Sequence, residues 1–150
     1  MGAVVDYFAA EHRGCDEFFS AAEEAAQTGD LASCRERFQR FRTAMEQHFR
    51  KEEEALFPRF EQASGNPMGP TQVMRLEHQQ MQGVLAEMES ALTGGDLDEF
   101  LGQMETLLIL MQQHNIKEEQ ILYPMCDRVL GVAAAALIET LRSFSEGQPL

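Results

Sequence analysis

Apolar residues recur at alternating intervals of three and four positions through four long stretches of the chain. This spacing is typical of the inward face of an amphipathic helix in a bundle. The four stripes consist of Val5, Phe8, Cys15, Phe19, Ala22 and Ala26; Phe38, Phe41, Met45 and Ala55; Met74, Met81, Leu85, Met88 and Leu92; and Phe100, Met104, Leu107, Met111, Ile121 and Met125. No stretch shows the two-residue alternation of a strand, so the pattern predicts an all-α fold.

Turn-forming residues separate the four stretches. Residues 28–30 and 93–96 each contain a glycine, which can end one helix, followed by an aspartate, which can cap the next. A loop rich in glycine and proline at 65–70 lies between the second and third stretches. Within the second and fourth stretches, Pro58 and Pro124 are expected to kink or end the helix, because proline lacks the backbone N–H.

The sequence repeats itself at an offset of 66 residues. The matching segments are Glu11-His12 with Glu77-His78, Gly29-Asp30-Leu31 with Gly95-Asp96-Leu97, His48 with His114, Glu52-Glu53 with Glu118-Glu119, and Leu56-Phe57-Pro58 with Leu122-Tyr123-Pro124. Each half reads as a helical hairpin that needs its copy to bury its apolar stripe. The prediction is one domain, 1–150: an up-down-up-down four-helix bundle with a pseudo-twofold axis, a core at 5–127, and a short C-terminal helix at about 132–145 that caps the bundle or pairs two chains.

The chain has a formal charge of −13, and its acidic residues are spread along its length. Such a surface repels phosphate backbones and anionic lipid heads, which argues against nucleic acid and membranes as partners. The N-terminus lacks the pattern of a leader peptide, and no apolar run reaches the roughly 18–20 residues of a membrane span. We therefore expect a cytoplasmic protein.

The three cysteines have irregular spacing, which predicts buried thiols on helices rather than disulfides.

Six ionisable side chains fill gaps in the apolar stripes and should therefore point into the bundle. The histidines lie 16 to 19 residues from the nearest hairpin glycine, which is about 25 Å along each helix. They should therefore stand at one level, together with the glutamate that follows two of them by one helical turn. The predicted layer consists of His12, His48, Glu52, His78, His114 and Glu118.

Buried carboxylates that face each other are costly unless a cation compensates their charge. Imidazole suits iron, zinc, copper and nickel, and a carboxylate can bridge two ions. Two ions bridged by Glu52 and Glu118, with an additional oxo, hydroxo or water bridge, would each be five-coordinate and keep one open position. A single His-x-x-x-Glu is usually a surface pair, but two such pairs with two further inward histidines at one offset favour a two-metal centre.

Several glutamates lie next to the predicted ligands. Glu11 and Glu77 each precede a histidine at the repeat offset, and each could accept an imidazole N–H from a neighbouring helix. A solvated helix face explains these two residues equally well. Glu53, Glu54 and Glu119 are expected on the exterior of the bundle.

Three other residues are candidates for supporting roles. Asp16 lies one turn after His12 on the same face, where a hydrogen bond to a ligand or plain solubility is expected rather than ligation. Tyr7 and Tyr123 lie near enough along their helices to approach the centre, although the pattern does not require it.

At these residues the chain resembles the hemerythrin-like, or HHE cation-binding, family. The resemblance covers about residues 5–127 and rests on the motifs Glu11-His12, His48 to Glu53 with Leu56-Phe57-Pro58, Glu77-His78, and His114 to Glu119 with Leu122-Tyr123-Pro124. It implies a four-helix bundle with a bridged non-haem di-iron site. The resemblance makes the four histidines terminal ligands and makes Glu52 and Glu118 the bridges.

The sequence departs from the oxygen-carrying hemerythrins at two points. The third helix of those proteins carries a second histidine where this chain has Gln82, and their fourth helix carries an aspartate in His-x-x-x-x-Asp where this chain has Glu118 in His-x-x-x-Glu. One iron thus lacks its third histidine, which puts reversible oxygen carriage in doubt and favours redox chemistry. The four-His, two-Glu set looks more like the di-iron domain of iron–sulfur cluster repair proteins.

Three functions are compatible with this interpretation. The leading hypothesis is a di-iron protein that binds, senses or reacts with dioxygen, peroxide or nitric oxide. The second is a di-iron enzyme, namely an oxidase, peroxidase or nitric oxide reductase, and the third is iron storage or donation to cluster repair. A reductase or an iron–sulfur protein is the expected partner, and the chain is expected to be a monomer or a homodimer.

Overall fold

Every regular element in residues 2–144, which the computed structural model describes, is helical. The α-helices of this part of the chain are α1 (Ala3–Gln27), α2 (Leu31–Lys51), α3 (Phe57–Ser64), α4 (Pro70–Thr93), α5 (Leu97–Lys117), α6 (Tyr123–Leu130) and α7 (Ala133–Arg142). Helix α1 packs against α2 and α4 packs against α5, while α1–α5 and α2–α4 contacts join the two hairpins. The predicted four-helix bundle is therefore confirmed.

The turns that close the two hairpins have the same construction. The carboxylate of Asp30 accepts a hydrogen bond from the backbone N–H of Ser33, and that of Asp96 accepts one from Glu99. The preceding residues, Gly29 and Gly95, have φ values of 78° and 70°, in the left-handed region that favours glycine. These contacts satisfy backbone groups at the start of α2 and α5, as the sequence predicted.

A five-residue π-helical turn precedes each of the two prolines. The turns span Glu52–Leu56 and Glu118–Leu122, and each ends with an N–H that donates across five residues to the carbonyl of the first glutamate. Pro58 and Pro124 then stand in the first turn of α3 and α6, where a helix does not need their missing N–H. Of the predicted kink or end, the end does not occur, because the backbone stays helical through both prolines.

The π turn also changes which residues face the core after Glu118. Ile121, predicted to face inward, is 57% exposed, whereas Leu122 and Cys126 are buried. A π turn holds more residues than an α-turn, so the inward face moves along the sequence relative to an uninterrupted α-helix. The α-helical spacing that predicted the other stripes therefore fails for Ile121.

Two apolar clusters fill the bundle on opposite sides of the predicted ligand layer. One lies toward the hairpin turns and includes Phe19, Phe38, Phe41, Leu85 and Phe100. The other lies at the opposite end, where α7 packs against α1 and α6; it includes Val4, Phe8, Leu56, Phe57, Phe60, Leu137 and Leu141. The C-terminal helix, which runs over 133–142 rather than 132–145, thus covers the end of the bundle. Residue 145 lies outside the described range.

The three cysteines are buried and free, as predicted. Burial raises the pKa of the Cys15 thiol to about 11 and also raises those of Cys34 and Cys126. These side chains therefore fill space in the two apolar clusters as neutral thiols at ordinary pH.

No single helix within residues 2–144 is long and apolar enough to cross a membrane. One pair, the helix over Leu97–Leu130 with Ala133–Arg142, passes on length and composition only when its two members are taken together, and they are bent by 114° to each other.

Candidate metal centre

The six predicted ligands converge in one buried layer between the two apolar clusters. Each of α1, α2, α4 and α5 contributes one histidine, and each π turn contributes its first residue, Glu52 or Glu118. Both carboxylates have no exposed surface, and the four imidazoles are at most 4% exposed. The apolar stripes of the bundle thus bring the six polar side chains together away from bulk water.

The imidazoles form two pairs. The Nε2 atoms of His12 and His48 lie 3.1 Å apart, and the ring centroids of His78 and His114 lie 4.9 Å apart. The first pair joins α1 to α2 and the second joins α4 to α5, so each hairpin contributes one pair.

Each carboxylate stands between the two pairs. The Oε1 atom of Glu52 lies 3.2 Å from Nε2 of His48 and 3.1 Å from Nε2 of His78. The Oε1 atom of Glu118 lies 3.1 Å from Nε2 of His12 and 3.2 Å from Nε2 of His114. Each carboxylate oxygen is thus almost equidistant from one imidazole of each hairpin, which is the position that a bridging ligand requires.

Every imidazole uses its other nitrogen to contact a carboxylate at the edge of the layer. Because a carboxylate only accepts hydrogen bonds, the Nδ1 atom carries the proton and the Nε2 lone pair points into the centre. The four Nδ1–carboxylate pairs are His12 with Glu119 (2.7 Å), His48 with Glu11 (3.0 Å), His78 with Glu53 (2.6 Å) and His114 with Glu77 (2.8 Å).

Two of these four carboxylates were missed by the sequence analysis. Glu11 and Glu77 each accept a hydrogen bond from an imidazole of the neighbouring helix, which is one of the two roles that the sequence predicted for them. Glu53 and Glu119 were expected on the exterior; they are partly exposed, yet each accepts an imidazole N–H from the other hairpin. The signal for them was the Glu-Glu pair repeated at the offset of 66. Glu54, in contrast, lies on the exposed surface.

Four nitrogen and oxygen atoms of the layer have no hydrogen-bond partner within residues 2–144. Among the described residues, Oε1 of Glu52, Oε2 of Glu118, and Nε2 of His78 and His114 are buried without a hydrogen bond. When the imidazoles are neutral and carry their proton on Nδ1, the short contacts between Nε2 and a carboxylate oxygen join two lone pairs. A buried polar atom without a partner is costly, and a cation at this place would satisfy all four.

The donor atoms also form two groups, each compact enough for one ion. One group comprises Glu52, His78, His114 and Glu118, and the other comprises His12, His48 and Glu118. Within each group, the ligand atoms all lie within 4.8 Å of one another. Glu118 belongs to both groups, so the arrangement fits two metal ions that share a carboxylate.

The charge of the layer attracts cations of any kind, including protons. Burial alone would lower the pKa of His78, but the contacts that its protonated form makes with Glu52 and Glu53 outweigh burial and raise the pKa to about 9. Burial also opposes protonation of His48 and His114, but the nearby carboxylates, chiefly Glu52 for His48 and Glu118 for His114, raise both pKa values. Without a metal, the layer therefore binds protons more tightly than free imidazole does, and metal ions must compete with them.

Two of the carboxylates that orient the imidazoles each also contact a lysine. Lys51 donates to Glu11, and Lys117, at the same place in the repeat, donates to Glu77. Burial would raise the pKa of Glu11, but its contacts with His48 and Lys51 outweigh burial and lower it to about 2. Glu11 therefore remains a carboxylate, and an acceptor for His48, throughout the ordinary pH range.

The two tyrosines differ in their distance from the centre. The Tyr123 side chain is fully buried, and its hydroxyl lies 2.7 Å from Oε2 of Glu52 and 2.8 Å from Oε1 of Glu118. Burial and these two carboxylates raise the pKa of Tyr123 well above its usual value. The Tyr7 hydroxyl instead accepts a hydrogen bond of 2.8 Å from Nζ of Lys51, the residue that precedes Glu52 in the sequence. Tyr7 therefore lies outside the ligand layer.

The last predicted supporting residue, Asp16, is exposed and makes no side-chain hydrogen bond within residues 2–144. It lines an open cavity of about 590 Å³ between α1 and α5 whose wall also includes Phe19, Met111 and Glu119. The structure therefore places Asp16 at the surface, beside the carboxylate that orients His12.

Comparison with known proteins agrees with this geometry. The family model described as the hemerythrin HHE cation binding domain matches residues 3–126. No curated protein and no solved structure matches the chain at a significant level. The matched range contains all six residues of the layer and the four carboxylates that contact their imidazoles.

Proposed function

Because the chain belongs to the hemerythrin HHE cation-binding family, we propose that its buried layer binds two iron ions. In this proposal His12 and His48 hold one ion, His78 and His114 hold the other, and Glu52 and Glu118 bridge them, with an additional oxo or hydroxo bridge. The observation that carries the proposal is the position of each bridging carboxylate oxygen, 3.1–3.2 Å from one imidazole of each hairpin.

Imidazole and carboxylate donors accept several first-row metals, so the choice of iron rests on the family. Bound iron would supply a redox-active centre with positions open to a small ligand. The protein supplies the rest: the four Nδ1–carboxylate contacts fix the ring orientations, and the apolar clusters on both sides exclude bulk water.

We further propose that the centre binds, senses or reacts with a small molecule such as dioxygen, peroxide or nitric oxide. The donor count supports this function, because four imidazoles and two carboxylates leave two six-coordinate ions incompletely filled. The surroundings support it as well, because the rings of Phe49 and Phe57 stack on His78 with centroids 4.1 Å and 5.8 Å away and make this side of the centre apolar.

A redox enzyme is the second candidate. The observation in its favour is the Tyr123 hydroxyl, a group able to donate a hydrogen bond inside the layer, 3.1 Å from Nε2 of His12. An oxidase, a peroxidase or a nitric oxide reductase could use such a group beside its substrate. The iron would then turn over with an external reductant, and a reductase would be the partner.

The proposal is tested by loading the full chain with iron and measuring its metal content and spectrum. We expect two irons per chain and near-ultraviolet absorption of bridged ferric iron, whereas a zinc-loaded centre has no such absorption. The variant His48→Ala should lose metal, and Glu54→Ala, which alters an exposed residue of the same helical segment, should retain it. A chain that binds no iron, or a His48→Ala variant that keeps both ions, contradicts the assignment.

Rapid mixing distinguishes the candidate functions. If the reduced protein forms an adduct with dioxygen or nitric oxide that reverses when the ligand is removed, the protein binds or senses its ligand. Repeated turnover with a reductant identifies an enzyme, and transfer of iron to a metal-free iron–sulfur protein identifies storage or donation. The buried free thiols fit a reducing compartment, and we propose that the protein acts in the cytoplasm.

A further inference from the structure

The hydroxyl of Tyr123 has too many close neighbours for a single O–H group. It lies 2.7 Å from Oε2 of Glu52, 2.8 Å from Oε1 of Glu118 and 3.1 Å from Nε2 of His12. All three neighbours are acceptors when the His12 proton is on Nδ1, and a phenol has one proton to donate. The hydroxyl proton can therefore form a full hydrogen bond with one of these acceptors, and the other two contacts need another explanation.

These distances match the edges of a coordination polyhedron. Two ligand atoms bound to one ion at about 2.0–2.1 Å and at right angles lie about 3 Å apart. The Tyr123 oxygen meets this condition with three donor atoms of the layer, and Nε2 of His12 lies 3.1 Å from both Nε2 of His48 and Oε1 of Glu118. The Tyr123 oxygen, Nε2 of His12 and Oε1 of Glu118 are thus mutually 2.8–3.1 Å apart, and Nε2 of His48 lies beside them, 4.0 Å from Oε1 of Glu118.

We propose that the Tyr123 oxygen is a ligand of the metal ion held by His12 and His48. This inference rests on the proposed metal pair and extends it by one donor. Binding of the ion displaces the hydroxyl proton, which is released to solvent with the other protons that metal binding displaces. The phenyl ring is held in place by stacking on Phe8, whose ring centroid lies 5.2 Å from that of Tyr123.

The other half of the molecule lacks this donor. Phe57 occupies the same place in the repeat, 66 residues earlier, and its ring stacks beside His78 without an oxygen atom. The two ions therefore receive different ligand sets, with the phenol oxygen on the His12–His48 ion alone. The position open to a small ligand then belongs to the ion held by His78 and His114.

The test is the visible and resonance Raman spectrum of the full chain loaded with ferric iron. A tyrosine oxygen bound to ferric iron gives a charge-transfer band in the visible range, and excitation in that band enhances tyrosine ring vibrations. We expect this band in the native sequence, its loss in Tyr123→Phe with both irons retained, and its persistence in Tyr7→Phe. Ring-deuterated tyrosine should shift the enhanced vibrations in the unsubstituted protein, so the test does not depend on a variant that folds.

The outcomes separate the two proposals. Two irons per chain without a tyrosine band, or a band unchanged in Tyr123→Phe, overturns the ligation by Tyr123 and leaves the metal pair intact; Tyr123 is then a hydrogen-bond donor to a bridging carboxylate. A chain that binds no iron overturns both proposals. As a matched gain of function, Phe57→Tyr in the Tyr123→Phe background should restore a band from the other ion.

Discussion

The two hairpins of the bundle agree closely at the metal ligands and differ in the groups behind them. Both halves contribute two imidazoles, one fully buried carboxylate proposed as a bridge and two carboxylates that accept hydrogen bonds from Nδ1, all at the offset of 66 residues. Against this agreement, the first half has Phe57 where the second has Tyr123. The repeat therefore specifies a symmetric set of buried imidazoles and carboxylates, while single differences next to that set make its two ends chemically different.

The two hairpins also differ in the exposure of the lysines that contact Glu11 and Glu77. Lys51 is buried and contacts Tyr7 as well as Glu11, whereas Lys117 has a 47% exposed side chain and contacts Glu77. The rings of Tyr7 and Phe144 lie over Lys51, with centroids 5.3 Å and 5.6 Å from its Nζ; Phe144 directly follows the α7 segment, and Tyr7 donates a weak hydrogen bond of 3.4 Å to the Leu141 carbonyl in α7. The C-terminal helix thus shields the periphery of the centre at the first hairpin and leaves the second hairpin more open to water.

The strongest test of the symmetry removes one bridging carboxylate at a time. We expect Glu52→Ala and Glu118→Ala to lose metal to a similar extent and to lower the Tm of the metal-loaded protein. Loss of one member of a buried charged set costs about 3–5 kcal/mol, which corresponds to roughly 6–20 °C for a chain of this size. Metal analysis and calorimetry of both variants provide the measurement, with Glu54→Ala as the control.

A clear difference in metal content between Glu52→Ala and Glu118→Ala would contradict the symmetry of the two hairpins at the proposed bridges. Glu118 is shared by both donor groups, whereas Glu52 belongs to one. If only Glu118→Ala loses both ions while Glu52→Ala retains one, the two carboxylates do not bridge equally.

The second prediction concerns the pH dependence of the metal-free protein. The pKa of His78 is raised to about 9 and that of His114 is also raised, so protonated imidazoles stabilise the metal-free fold. For a raised pKa this stabilisation is complete below about pH 6.5 and is lost as the pH rises through 9. From His78 alone, we expect the free energy of unfolding to fall by about 3 kcal/mol across this window, measured by urea denaturation.

Metal should reverse this dependence. Iron requires unprotonated Nε2 atoms, so the affinity for the metal should rise over the same pH range in which the metal-free fold weakens. If the metal-free protein is equally stable at pH 6 and pH 9, the charges of the carboxylates do not control the imidazoles.

The carboxylates that orient the imidazoles should contribute unequally to metal affinity in the two hairpins. Glu11→Gln and Glu77→Gln each remove the negative charge of a carboxylate that accepts an imidazole N–H, and loss of such a charged partner typically lowers metal affinity by about 10–100-fold. Glu11→Gln should have the larger effect, because it also leaves the buried Lys51 without its carboxylate. Competition with a chelator measures both affinities, and equal losses would show that burial of the lysine has no influence.

How much of this centre could be predicted depends on the local helix geometry. Uninterrupted α-helical spacing predicted the positions of the histidines, because all four lie within the regular α-helices α1, α2, α4 and α5 and outside the π turns. Ile121 and the contacts of Glu53 and Glu119 were missed, since each lies inside a π turn, where a wider backbone spiral changes the direction of the side chains. The periodicity of apolar residues carries no signal for such a turn.

The roles of the two tyrosines were also beyond the sequence pattern. Tyr7 and Tyr123 both lie within a few residues of a ligand, and a one-dimensional pattern gives both the same chance to reach the centre. The structure separates them because Tyr123 follows the π turn and points into the layer, whereas Tyr7 points toward Lys51 and α7. Proximity along the chain therefore identified the candidates but not their roles.

The smallest expected effect tests the covering of the first hairpin by α7. Tyr7→Phe removes the hydroxyl that accepts from Lys51 and donates to the Leu141 carbonyl, while the ring remains to fill its space. Loss of these contacts should cost about 1 kcal/mol, or roughly 2–4 °C in Tm, with metal content unchanged. The matched change in the second hairpin, Val73→Ala, affects an exposed side chain at the same repeat position and should leave both quantities nearly unaltered. A loss of iron in Tyr7→Phe would instead show that the hydrogen bonds from α7 through Lys51 help to hold His48 at the metal.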